Sequence, residues 1–461
     1  MREKLVKLEK FLFYLLVLSF FVQKRLVWPV GGGGFNEWTS VYFYASDILL
    51  AALIFLWWRR AGEIQWRNFF KVDFFKQAEG PLFLFLIVAG LSLAVSQNRV
   101  LGFYGFIKLL EMAALFFYVK SNFDKLFNLE KFWQFFIAGA ALQSIVALIQ
   151  FFTQKSLGLK FLAESPLAPD LAGVAKITVA GQNFVRAYGL VPHPNVLAAI
   201  LVAAIFGLAY LVIKNYAVSK IWQKIIYGVA LVLNSAALFF TFSRAVTLIG
   251  FLLLIGWAAI IFLRQKNYRR PITIFIILLF IVHCSLFTVF RSYFFSRYDI
   301  ANIGESQSLN LRVFYNGVAL KFIKQNPFLG LGQGNFVWAL EKIQASLPAW
   351  RFQPVHDIYL LIASEIGILG LLAFLWFLFL TIRGAWQKSN IFSCLPAEAL
   401  AKAGLLLIVN CLLLIALFDH FLWDLQQGQI IFWLFLGLLV SVVQSGQRHC
   451  LDNSINKKLS L

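Results

Sequence analysis

Residues 192–213 read PHPNVLAAILVAAIFGLAYLVI, without one Asp, Glu, Lys or Arg. A run of about 20 apolar residues forms a helix that reaches across the hydrocarbon core of a bilayer. It must be a helix, because lipid offers the backbone no hydrogen-bond partners. Eleven further windows read the same way: 11–27, 40–58, 80–96, 101–119, 132–152, 225–242, 245–263, 271–290, 357–382, 402–418 and 428–443. The sequence therefore predicts an all-α polytopic membrane protein of about twelve transmembrane helices.

Composition agrees. Of 461 residues, 61% are apolar and only 13% charged, against about 25% charged in soluble domains. Mean hydropathy is +0.77. The 51 Phe and 14 Trp suit a lipid-facing surface with interfacial aromatic belts. A net charge of +20 would suggest nucleic acid in a soluble chain. Here the basic residues form short clusters between apolar runs, so they act as topology determinants and nucleic acid is excluded as a partner. Cys284, Cys394, Cys411 and Cys450 show no C-x-x-C spacing, hence neither a metal site nor a disulfide framework is expected. The start, MREKLVKLEK followed by Phe11–Val22, has the basic and apolar parts of a signal peptide. Gln23, Lys24 and Arg25 stand where a small-residue cleavage site would be, which predicts a retained first span.

More than half of the 41 Lys and Arg fall on one side if both termini are cytoplasmic, as the positive-inside rule requires. Lys24 and Arg25 run against that sum. The chain divides into a membrane bundle at 1–290 with about nine spans, an extracytoplasmic loop at 291–356, and C-terminal spans with a cytoplasmic tail at 357–461. Segments 153–191 and 291–356 are the long outer connections, and such loops are usually functional. In the second, Leu311, Phe314, Leu320, Phe322 and Ile323 give Arg312–Gln325 a helical pattern, which Asn326-Pro327 ends. Gly330, Gly332 and Gly334 then form a tight turn, and Gly31–Gly34 reads as an exposed one.

In this topology the notable polar residues gather on the outer face. They are Arg186 with Gly189–Asn195 before the sixth span, Thr241-Phe-Ser-Arg244 between the seventh and eighth, Arg312 at the start of the loop helix, His356-Asp357 before the tenth, and Asp419-His420 after the eleventh. An arginine at bilayer depth costs about 2.5–3.5 kcal/mol. Arg244 is either a snorkelling interfacial side chain or an anion-binding group facing a cavity. His356 is either structural or a neutral imidazole placed to accept a proton from a hydroxyl, with Asp357 as helix cap. His193 and Asn195 flank Pro194 at a helix start, with Asn195 as cap. Lys108 and Glu111, three residues apart in the fourth span, pair with one another or serve a relay. Asp419, His420 and Asp424 lack the further ligands that a metal would need.

These residues resemble the O-antigen ligase and polymerase superfamily of bacterial envelope glycan transferases. Arg312-Val-Phe-Tyr-Asn followed by Asn326-Pro-Phe-Leu-Gly-Leu-Gly-Gln-Gly-Asn-Phe336 is similar to the family's R…W…P..G.G.G.F stretch. His356-Asp-Ile-Tyr-Leu-Leu-Ile-Ala-Ser-Glu-Ile-Gly-Ile-Leu-Gly370 resembles HN.YL…..E.G..G, and Thr241–Arg244 resembles its T.SR turn. Gly189–Ala198 and Asp419-His-Phe-Leu-Trp complete the order. Two departures stand out: Asp357 replaces the usual asparagine, and His193 occupies a position often held by asparagine.

The resemblance implies a GT-C-like fold and a donor glycan on undecaprenyl pyrophosphate. It implies that Arg186, Arg244 and Arg312 hold the pyrophosphate, and that His356 deprotonates a glycan, lipid or protein hydroxyl. His193, Asn195, Asp357, Asp419 and His420 would support them. Direct displacement would invert the anomeric carbon, with no metal and no cofactor. It also implies residence in the bacterial cytoplasmic membrane, with the active face outside. The rival class is a transporter or flippase for a lipid-linked or anionic glycan. Against it, the two halves look unlike each other and the polar residues favour the boundary over the midplane.

Overall fold

The computed structural model describes residues 2–30, 35–67, 77–296, 303–389 and 396–459. The expected turn at Gly31–Gly34 lies outside them. In chain order the elements are α1 (Arg2–Ser19), β1 (Arg25–Pro29), β2 (Ser40–Tyr44), α2 (Ala45–Arg67), α3 (Glu79–Ser92), α4 (Arg99–Leu126), α5 (Leu129–Thr153), β3 (Lys176–Val179) and β4 (Gln182–Val185). Then follow α6 (Pro194–Asn215), α7 (Ile221–Phe240), α8 (Arg244–Arg264), α9 (Arg269–Val289), α10 (Arg291–Ser296), α11 (Ile303–Gln325) and α12 (Phe336–Ile343). The last are α13 (Ile358–Glu365), α14 (Gly367–Ser389), α15 (Pro396–Ile415), α16 (Phe421–Asp424) and α17 (Gln426–Leu459).

The chain is an all-α polytopic membrane protein. Each of the twelve windows carries a helix, but their character is less uniform than expected. Among the described residues eight helices are long and apolar enough to cross a bilayer, and Glu79–Val95 and Leu400–Ile415 are shorter apolar helices. The helices α1 and α2 carry more charge, and part of it is paired: Arg60 of α2 donates from Nε to Glu9 of α1 at 2.8 Å, and Glu9 is fully buried.

Three boundaries differ from the sequence reading. The first span ends at Ser19 and the second begins at Ala45, because Arg25–Pro29 pairs antiparallel with Ser40–Tyr44. Segment 153–191 is not structureless either, since β3 and β4 form a second hairpin. The helix expected at Arg312–Gln325 begins at Ile303, so Arg312 lies within α11 instead of opening it.

Helix α6 is the axis of the bundle, with 94% of its apolar window buried. Without a hydrophobic drive between helices in lipid, close packing depends on small residues. Gly207 of α6 admits the Trp133 ring of α5, which would stand 2.2 Å from an added Cβ. Gly250 of α8 faces Val202 of α6 in the same way, with only 2.8 Å available. The Lys108–Glu111 pair forms at 3.1 Å. Lys108 also meets Asp47 of α2, and Gln426 of α17 donates to Asp47 at 2.6 Å, so three helices share one buried polar cluster.

The expected span 357–382 is broken. Gly367 has φ +84°, which ends α13 and starts α14 at a new angle. Its missing side chain makes room for backbone, because a Cβ there would lie 2.0 Å from the Phe328 carbonyl oxygen. Ile368 donates its N–H to Pro327 at 2.8 Å, and Leu331 donates to Ser364 at 2.9 Å. The glycine run is thus a backbone plug wedged against α13 and the α3–α4 turn, where Gly332 closes on Ser96. Gly367→Ala should lose at least about 1–2 kcal/mol from the left-handed backbone alone, and more from the clash. Thermal unfolding of detergent-solubilised protein should show a clear fall in midpoint.

Candidate active site

Five separated stretches converge at one end of the bundle. Arg186 follows β4 and is 5% exposed. Its Nε donates to the Thr241 carbonyl at 2.6 Å and its Nη2 to Asn195 Oδ1 at 2.8 Å. The neighbouring Ala187 N–H donates to Phe240 at 2.9 Å. The turn between α7 and α8 is thereby fixed to the start of α6. Asn195 donates from Nδ2 to Asp419 Oδ2, and the His420 N–H donates to Asp419 Oδ1 at 2.8 Å.

Asn195 is therefore a bridge and not the helix cap that its position suggests. The cap of α6 is His193, whose Nδ1 accepts from the Asn195 N–H at 3.2 Å. An accepting Nδ1 belongs to a neutral ring with its proton on Nε2. Burial, then the Arg186 charge, pushes His193 down to about 3, which keeps it in that form.

His356 precedes α13. Its ring stacks on Tyr315 of α11 at 5.9 Å between centroids. It meets His420 edge-on at 4.9 Å with the planes 85° apart. Burial, with the charge of His420 next, lowers His356 to about 3. Its Nδ1 is buried without a partner. Asp357 caps α13 by accepting from the Leu360 N–H at 3.0 Å. Asp and Asn cap helices equally well, so the departure from the family's asparagine leaves this role intact.

Arg312 lies within electrostatic reach of the cluster: its charge acts against protonation of His356, His193 and His420. Asp419 is held low, at about 2: burial opposes its charge, but His420, His356 and His193 together with the Asn195 hydrogen bond outweigh it. Arg244 opens α8 at the same end of the bundle and lines a cavity of about 350 Å³ with Phe242, Thr247, Phe251, Phe287 and Phe294. That cavity is mostly apolar, with a guanidinium at the end of the bundle where the other arginines gather.

Sequence reasoning missed three neighbours. Tyr315 lies one helical turn beyond Arg312, a spacing that could have placed it on the same face. Trp38, whose ring sits 5.7 Å from that of His420, comes from the connection between β1 and β2 and gave no signal. Asp424 stands out in the sequence only through its nearness to Asp419 and His420; its carboxylate oxygens lie 2.8 and 2.9 Å from His420 Nδ1.

The fold and this cluster define a polytopic membrane protein with an arginine- and histidine-lined site at one end. Residues 229–375 match the family model described as O-Antigen ligase, which bears out the resemblance to the O-antigen ligase and polymerase superfamily and supports glycan transfer of that general type. No curated protein matches the chain significantly.

The bridge through Asn195 gives a prediction. Asn195→Ala leaves a buried guanidinium and a buried carboxylate each short of a partner, a loss of about 1–3 kcal/mol. Asp357→Asn should be close to neutral. Thermal melts of the two variants, side by side, check the contrast.

Proposed function

We propose that the protein transfers a glycan from an undecaprenyl pyrophosphate carrier to the hydroxyl of a glycan, lipid or protein acceptor. The observation that carries this reading is the convergence of Arg186, Arg312 and the His356–His420 pair at one end of the bundle, with Arg244 beside an apolar cavity at that same end. A polyprenyl chain needs an apolar groove, and a diphosphate needs guanidinium groups that match its oxygens with charge-assisted hydrogen bonds.

In this reading Arg244 meets the diphosphate where the lipid tail leaves it, and Arg312 approaches from α11. Their charge offsets that of the departing pyrophosphate as the C1–O bond breaks. Arg186, already tied to Thr241 and Asn195, adds charge and holds the wall of the site. His356 accepts the proton of the attacking hydroxyl, which suits an imidazole kept neutral by burial. Attack opposite the leaving group inverts the anomeric carbon, and pyrophosphate leaves without prior activation by ATP.

The proposed location is the bacterial cytoplasmic membrane, with the site on the outer face and both termini in the cytoplasm. The hairpin that carries Trp38 to His420 follows α1, and α17 starts beside α16, so α1 leads toward the end that holds the site and α17 leads away from it, in keeping with this orientation.

The test uses full-length protein in nanodiscs with a synthetic undecaprenyl-pyrophosphate oligosaccharide as donor. The acceptor is either a second molecule of the same compound or lipid A–core oligosaccharide. His356→Ala should lower the transfer rate on the order of 10²–10⁴-fold. Arg312→Ala and Arg244→Ala should each cost on the order of 10²-fold, the scale of losing one charge-stabilising donor. Full transfer by His356→Ala would refute the assignment, and movement of intact donor across the bilayer without sugar transfer would favour a transporter. Separately, a single cysteine at exposed Gln182 in the β3–β4 hairpin, four residues before Arg186, should react with an impermeant maleimide added outside intact cells.

A further inference from the structure

His356 is poorly suited to keep a proton. It is buried, its Nδ1 has no partner, and Arg312 and His193 face it from α11 and from the start of α6. The ring it touches is placed differently. His420 sits 4.9 Å away, and its Nδ1 lies against both carboxylate oxygens of Asp424, four residues on. A ring that donates Nδ1–H to a carboxylate has its tautomer fixed, which leaves Nε2 as the basic atom.

Asp424 also borders a second cavity, of about 80 Å³, lined on its other sides by Trp38, Gln333, Glu365 and Trp423. Two buried polar atoms there, Trp38 Nε1 and Gln333 Oε1, have no hydrogen-bond partner. A polar cavity of that size has room for water, which binds where several polar groups converge.

We propose that the proton released by the acceptor hydroxyl comes to rest on His420, with Asp424 as the positioning residue that orients this imidazole and balances its charge. The inference rests on the glycan-transfer reading above. The acceptor O–H bond breaks as its oxygen bonds to the anomeric carbon. The anomeric C–O bond breaks with its electron pair leaving on pyrophosphate. The proton passes by way of His356 to the His420 imidazole, which becomes a cation paired with Asp424. The next turnover begins when that proton is lost to water.

The groups facing His420 set the pH dependence. Burial opposes its protonation, but the Asp424 and Asp419 carboxylates outweigh burial and the Arg312 charge, so His420 titrates above an ordinary histidine. His356 and His193 are also titratable neighbours, and Glu365 shares the cavity beside Asp424. A proton acceptor must start neutral, hence the rate should rise with pH through the His420 titration. Removing the Asp424 charge destabilises the imidazolium, which moves that acid limb to lower pH and weakens the base.

The experiment uses full-length protein in nanodiscs and the donor and acceptors named above, with kcat and KM measured from pH 5 to 9. Asp424→Asn should lower kcat on the order of 10-fold or more, leave KM for the donor unchanged, and shift the acid limb downward. Asp424→Glu, which restores the carboxylate, should recover most of the rate. Wild-type kcat with an unmoved limb in Asp424→Asn would overturn the proposal, as would a loss that Asp424→Glu fails to restore. If Asp424→Asn is unaffected while His356→Ala is inactive, only this inference falls. If the wild-type protein releases no pyrophosphate carrier from the donor, the reading beneath it falls as well.

Discussion

Arg186, Asn195 and Asp419 form a bridge on which the site depends. A buried guanidinium and a buried carboxylate are each unfavourable alone. A single amide between them satisfies one with its oxygen and the other with its nitrogen. Because Arg186 also binds the Thr241 carbonyl, the same few atoms fix the α7–α8 turn, the start of α6 and the segment after α15. His420 follows Asp419 directly, and Ile358 donates its N–H to Ala416 at 2.9 Å, so the imidazoles inherit their places from this bridge.

Burial then separates the histidines by environment. His193 and His356 are held neutral, whereas His420 has two carboxylates beside it and titrates upward. Three residues of one type thus acquire three roles: a helix cap, a neutral ring with an unpartnered nitrogen, and a ring ready for charge. Distinct proton affinities among neighbouring groups are what acid–base chemistry near neutral pH requires.

The rest of the bundle keeps this end rigid. Helix α6 is enclosed by others through small residues, and the glycine plug at 330–334 pins α13 from the side. The break at Gly367 is part of that arrangement: α13 is a short, capped helix that presents His356, while α14 runs on separately through the bilayer. At the same end of the bundle, the cavity beside Arg244 is mostly apolar. A polar site and a greasy groove at one end of a bundle suit a substrate with a charged head and a hydrocarbon tail.

Much of this was written in the sequence. Long apolar runs can only be helices in lipid, so the place of a helix in each of the twelve windows followed from hydropathy, though not the bounds of the first two. The polar residues could be identified because charge at a membrane boundary is costly. What the sequence could not decide was partnership. Asn195 beside Pro194 looks like a cap, yet its side chain bridges residues 186 and 419 while His193 takes over the capping. Trp38 and Asp424 meet His420 only because a hairpin folds back and a four-residue helix turns there. The cut at Gly367 was hidden inside an apolar run, since hydropathy reports burial and not backbone angle. Solvent preference is a property of each residue and can be read along the chain; hydrogen-bond pairing and ring contacts depend on which distant segments meet, and packing alone chooses those.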